Sequence, residues 1–257
     1  MAVDKVALAQ DTDLLDYLLQ YGQSAQSRLS TSPLPWNFNS TVMSYIRNSD
    51  SVLEIGYKQN MVIKGLTKLP HRVCVAEHDE LKLKQAIHDL YSKEIEINQY
   101  DDDENLPFED NSFDLIINNQ ETFSPGEMAR ILKPGGIFIT EQIGGNNVAE
   151  FLELFGLNSQ WSMSFWNLQD ATGELELHGF EIVEGSECFP TTRIYDVGGV
   201  VAYINEAPWQ FPNFDVDTYY GQLRNIHKSL NSAGYMDVLS HRFFIMATLP
   251  DQFKVDN

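Results

Sequence analysis

The residues with the most chemical content close one apolar run. Ser51-Val52-Leu53-Glu54-Ile55-Gly56 reads as a buried strand ending in an acidic residue and a glycine. At the carboxyl end of a first parallel strand, such a pair stands where an open α/β sheet lets a nucleotide-like ligand approach the backbone. The residues that follow, Tyr57-Lys58-Gln59-Asn60, bring no further glycine. A Gly-x-Gly-x-x-Gly loop opening a helix, the usual cradle for dinucleotide phosphates, is missing, which disfavours nicotinamide cofactors. The six histidines and the two cysteines, Cys74 and Cys188, show no metal-ligand spacing, so no catalytic metal is expected. The run Asp101-Asp102-Asp103-Glu104 reads first as a solvated loop face.

The elements that must position these residues follow a regular alternation. Strands are expected over 52–55, 73–76, 95–98, 113–118 and 136–142, with helices near 61–68, 80–92 and 125–132. Repeated β-α units of this length imply a parallel sheet with helices on both faces. Ahead of them, Leu14, Leu15, Leu18, Leu19 and Tyr21 recur at helical spacing over 11–26, and a second helix is expected over 40–47. Between these helices, Pro33-Leu34-Pro35-Trp36-Asn37-Phe38 is turn chemistry carrying two aromatics, placed to cross the mouth of a site. Beyond Asn146 the rhythm changes. Helices are expected over 148–155 and 164–178 and a strand over 180–183. A long excursion over 188–235 then holds two helices, 196–205 and 216–233, before a last strand over 243–249. The expected fold is a doubly wound, mostly parallel seven-stranded α/β sheet. A helical cap over 1–48 precedes it, and a helical lid over 188–235 is inserted before the last strand within a domain spanning 49–257.

Composition narrows the partners. The chain has 257 residues, 43% of them hydrophobic, enough for a substantial core. Its formal charge of −20 would repel a phosphate backbone, and no cationic cluster offsets it, so nucleic acid is not expected as a partner. Sparse cysteines and the lack of a leader-like or long apolar segment point to a cytoplasmic protein away from membranes, with homodimer formation left open.

The order of motifs resembles the class I S-adenosylmethionine-dependent methyltransferases over roughly residues 50–145. Val52-Leu53-Glu54-Ile55-Gly56 is similar to their first motif, Leu106-Pro107-Phe108-Glu109-Asp110-Asn111-Ser112-Phe113-Asp114 to the stretch before the fourth strand, and Leu132-Lys133-Pro134-Gly135-Gly136 to the turn before the fifth. Arg193-Ile194-Tyr195-Asp196-Val197-Gly198-Gly199, Ala207-Pro208-Trp209 and His241-Arg242-Phe243 also resemble a bacterial branch of that family.

The resemblance implies S-adenosylmethionine lying along the carboxyl edge of the sheet. Glu54 would then stand near the amino and sulfonium end, with Gly56 allowing close backbone approach. Glu77 would accept from the ribose hydroxyls, Asp102 from the adenine amino group, and Asp103 would lie beside the ring. Asn118, Asn119, Gln120 and Glu121 would face the reactive methyl. Methyl transfer from a sulfonium is an in-line displacement in which positioning supplies much of the catalysis. An acceptor that must lose a proton needs a base, for which Glu121, His241 and Asp196 are candidates. Trp36, Tyr195, Asp196 and Trp209 could wall a small-molecule acceptor pocket, although aromatics in such numbers also build cores.

Two departures from the family pattern bear on activity. Lys58 and Asn60 stand where the first motif would place glycines, and Asn118-Asn119-Gln120-Glu121 lacks the arginine-histidine pair that the branch tends to have. Asn tolerates a left-handed backbone, whereas Lys does so at a cost. The expected activity is methylation of a small molecule. The alternative is an inactive binding or interaction module in which the Lys58 ammonium pairs with Glu54 in place of the cofactor's cation.

Overall fold

The computed structural model describes residues 28–157, 166–208 and 210–251; the helix expected over 11–26 and the side chain of Trp209 lie outside them. The strands, in chain order, are β1 (Leu29–Thr31), β2 (Ser51–Ile55), β3 (Arg72–Glu77), β4 (Glu96–Gln99), β5 (Phe113–Asn119), β6 (Leu132–Ile143), β7 (Glu181–Cys188), β8 (Thr191–Ile194), β9 (Met236–Leu239) and β10 (Arg242–Thr248). The helices are α1 (Phe38–Ile46), α2 (Glu80–Leu90), α3 (Pro125–Ile131), α4 (Ala149–Glu153), α5 (Leu168–Leu177), α6 (Val197–Glu206) and α7 (Tyr220–Ala233).

The described residues fall into two compact units. The larger takes in 35–144, 166–188 and 242–251. Its seven-stranded sheet runs β4-β3-β2-β5-β6-β10-β7. The pairs among β4, β3, β2, β5 and β6 are parallel, while β10 runs antiparallel to both β6 and β7. The central strand β2 is buried at all five positions, as a strand covered on both faces must be. Its alternate residues feed two layers. Leu53 and Ile55 join Met128 and Ile131 of α3 and Ala171 and Leu175 of α5. Val52 joins Phe38, Val42 and Ile46 of α1 and Ala86 and Leu90 of α2 on the other side. Strand order reverses between β2 and β5, which makes the crevice beyond their carboxyl ends the switch point of the sheet.

The helix expected over 61–68 is reduced to one 3₁₀ turn at Ile63–Gly65. Gly65, Thr67 and Pro70 disfavour helix continuation there, and the amides of Val62 and Ile63 are taken by the Glu54 carboxylate.

The smaller unit takes in 28–34, 145–157, 189–208 and 210–241. It contains a sheet that the sequence pattern did not reveal, β1-β8-β9, antiparallel throughout. Thr31 and Thr192, 161 residues apart, meet through their hydroxyls at 3.0 Å. Phe151, Phe155, Val200, Ile204, Phe211, Leu223 and Leu230 form its core. The excursion over 188–235 therefore supplies a strand as well as the two expected helices, and residues 28–34 join this unit while α1 packs in the larger one. Among the described residues, no helix is long and apolar enough to cross a membrane.

Candidate functional site

Gly56 ends β2 with φ +81°, a conformation that suits glycine, and its amide donates to the Ala76 carbonyl at 2.8 Å. The face of its Cα carries the side chain of Glu121. A Cβ placed on Gly56 would stand 2.7 Å from both Cδ and Oε1 of that residue. Glu121 reaches this place from the turn after β5. Gln120 holds a left-handed φ of +59°, uncommon for a residue with a side chain, and the Glu121 amide donates to Asn118 Oδ1 at 3.3 Å. The Glu121 carboxylate lies between two ammonium groups, 3.6 Å from Lys58 Nζ and 3.7 Å from Lys82 Nζ. Lys58 also donates to the Asn119 carbonyl. Burial lowers the Lys58 pKa, against the opposing pull of Glu121.

This corrects the pairing considered for Lys58. Its ion pair is with Glu121, while Glu54 faces the other way, accepting from the amides of Val62 at 2.9 Å and Ile63 at 3.0 Å. Glu54 is 2% exposed, and burial pushes its carboxyl up to about 7 despite those two amides. Tyr57 is likewise a core residue. Its ring is buried and its hydroxyl donates to Asp89 on α2, an acid that Lys64 also meets at 2.8 Å.

Glu77 is fully buried, and its two oxygens accept from the amides of Tyr57 at 2.6 Å and Asp79 at 2.7 Å. It thereby ties the turn after β2 to the start of α2. Asn118 is also fully buried. Its Oδ1 accepts from Thr140 Oγ1 at 3.2 Å and Gln142 Nε2 at 2.8 Å, pinning β5 to β6 behind the Glu121 turn. Asp102 is exposed and caps its own loop by accepting from the Glu104 amide, while burial, and after it the charge of the half-buried Asp103, raises the pKa of the Tyr100 phenol. Trp36 donates from Nε1 to Glu141 Oε2 at 2.6 Å and stacks on Phe244.

Other expected site residues belong to the smaller unit. His241 is 2% exposed, stacks on Phe189 with ring centroids 4.6 Å apart, and receives the Asn146 amide on Nδ1. Asp196 caps α6 by accepting from the Gly199 amide at 2.8 Å and lies 3.6 Å from Arg28 Nε. Tyr195 is exposed. A cavity of about 420 Å³ in this unit is walled by Phe151, Leu154, Phe189, Met236 and Leu239, with Glu150 and Asp237 at its polar side. Among the described residues, no cluster of three or more His, Cys, Asp or Glu side chains could hold a metal ion.

Sequence reasoning named Gly56, Glu121 and Lys58 but missed Lys82. A lysine in the first turn of an exposed helix carries no local signal of a site. Asn119, expected to face the reactive methyl, has its Oδ1 buried without a hydrogen-bond partner among the described residues, beside the carbonyl that takes Lys58.

The chain is similar to known proteins in one segment of its sequence and in its fold. Residues 53–140 fit the family described as a methyltransferase domain. A proposed methyltransferase from Bacillus halodurans shares the fold with a TM-score of 0.59 and 17% identity, covering 82% of this chain and 98% of its own. The [4+2]-cyclase SpnF does so with a TM-score of 0.51 and 14% identity over 95% of each chain. Haemonchus contortus phosphoethanolamine N-methyltransferase 2, solved with phosphomonomethylethanolamine and S-adenosylhomocysteine, gives 0.51 and 17% over 93% of this chain and 57% of its own. No curated protein is significantly similar in sequence.

Proposed function

We propose that this chain, which carries a methyltransferase domain of the class I fold, transfers a methyl group from S-adenosylmethionine to a small-molecule acceptor. The observation that carries the reading is Gly56, a left-handed backbone position with no side chain of its own at the switch point of the sheet, within the segment that fits the domain family. A ligand can lie against that face once the Glu121 side chain turns aside, and a glutamate's outer atoms can do so without backbone movement. The orphaned Asn119 Oδ1 offers a donor-bearing ligand a partner near the same edge.

When bound, the cofactor supplies a methyl on a positively charged sulfur, already activated for displacement. This chain's residues would hold and orient it. Gly56 would admit close approach. Glu77, anchored by two amides, would support the ribose end through the Tyr57 to Asp79 turns it joins, and Asp102 and Asp103 would stand toward the adenine. Glu54 and Asn118 would act from beneath, Glu54 by holding the 62–63 turn and Asn118 by holding the turn that carries Glu121. Glu121 would be the base for an acceptor that must lose a proton. The formal charge of −20 favours a small acceptor over a nucleic acid.

The fold also houses proteins of other activities, so the site and not the fold must decide. The Glu121 side chain over Gly56 favours one second reading, a binding module whose cofactor cradle is closed by the chain itself. Calorimetric titration with S-adenosylmethionine and S-adenosylhomocysteine separates the two. Micromolar binding by the wild type supports the enzyme and justifies screening small acceptors. No binding by the wild type or by Glu121→Ala overturns it.

A further inference from the structure

The Glu121 carboxylate occupies the approach to Gly56 in a particular manner. It is 10% exposed, lies against the Cα face of the glycine, and is flanked by Lys58 and Lys82. Both N···O distances exceed 3.5 Å, so the two cations hold it by charge and not by a hydrogen bond. Its backbone is fixed by Asn118 and by the left-handed Gln120, which aim the side chain inward and leave only its own torsions free. In a chain with 37 acidic and 17 basic residues, two ammonium groups converging on one point at the switch crevice form a local site of opposite sign to the whole.

We propose that Glu121 is an internal stand-in for the carboxylate of the ligand, so that an amino-acid-bearing nucleoside seats on Gly56 by exchanging its carboxylate for that of Glu121 between Lys58 and Lys82. The proposal rests on the cofactor reading given above and deepens it. The exchange conserves charge at the two lysines, so the half-buried Lys58 ammonium does not lose its carboxylate partner. A nucleoside without a carboxylate displaces Glu121 and leaves both lysines without a carboxylate partner. The site therefore selects for the amino-acid end of its ligand through residues that stand where the family pattern has glycine, at Lys58, and on the neighbouring helix, at Lys82.

The test uses the full chain and two probes, S-adenosylhomocysteine and 5′-methylthioadenosine, which share the nucleoside thioether and differ in the amino-acid portion. The wild type is expected to bind the first at least about tenfold more tightly. The Lys58→Met, Lys82→Met double variant is expected to lose most of that preference. Glu121→Ala is expected to bind both probes about tenfold more tightly than the wild type, with Glu121→Gln intermediate; thermal melts of each variant verify folding. If S-adenosylhomocysteine binds the wild type and neither Glu121 variant changes its affinity, the stand-in is overturned while the cofactor reading survives. If neither probe binds any folded variant, both fall.

Discussion

Glu54 is held by opposing forces that can be measured. Its carboxylate is buried on the α1 and α2 side of β2, where desolvation favours the neutral acid and the amides of Val62 and Ile63 favour the ion; desolvation prevails and places the group at about 7 against an ordinary 4.5. Between those values the folded chain binds more protons than the unfolded one. The stability linked to Glu54 is thus fully present below about pH 4.5 and is lost as pH rises through about 7, a change of roughly 3 kcal/mol for such a shift. Glu54→Gln removes this dependence. Denaturant melts at pH 4.5 and 7.5 should show wild-type stability falling relative to the variant as pH rises, and a constant gap between them would contradict the assignment. The variant's own cost, from an amide left facing the wrong end of the carboxamide, is about 1–2 kcal/mol at both pH values.

At the scale of elements, α6 shows how a residue suggestive of chemistry can be structural. Val197, Gly198, Gly199, Val200, Val201 and Ala202 are all buried, so the first turn of this helix has little water to satisfy its free amides. Asp196 takes the Gly199 amide and faces Arg28. Asp196→Ala is expected to lower stability by about 1 kcal/mol, read as a drop of a few degrees in melting temperature, with Asp196→Asn largely retaining it. A substrate-binding role would instead leave melting unchanged and raise KM for the acceptor. The 3₁₀ turn after β2 carries the same lesson. Residues 61–68 have helical spacing, and a carboxylate from the strand beneath satisfies two first-turn amides, but Gly65 and Pro70 stop propagation. Helix spacing was legible there; the carboxylate that takes those amides was not, because Glu54 meets them through the fold.

At the scale of the whole molecule, the charge of −20 and the pair of lysines around Glu121 set what the chain can approach. A structured RNA is expected to show no saturable binding in fluorescence anisotropy at about 0.15 M salt, where surface charges act over roughly 8 Å; micromolar binding would reverse the small-acceptor reading. The sequence by itself determined the seven-stranded sheet and the place of its switch point. Parallel strands covered on both faces must be largely apolar runs, and Val52–Ile55, interrupted only by Glu54, with Val73–Ala76 and Leu115–Ile117, announce themselves locally. It also marked Glu54 and Gly56 through their position at a strand end. Only the tertiary structure decided that Lys58 meets Glu121 instead of Glu54, that Lys82 joins them, that Glu77 and Asn118 are spent on internal hydrogen bonds, and that Leu29–Thr31 pairs with Thr191–Ile194. Ion pairs and three-residue strand pairings leave no periodicity along the chain. They are set by distances in space between segments far apart in sequence, and those distances exist only once the cores on both faces of the sheet have packed.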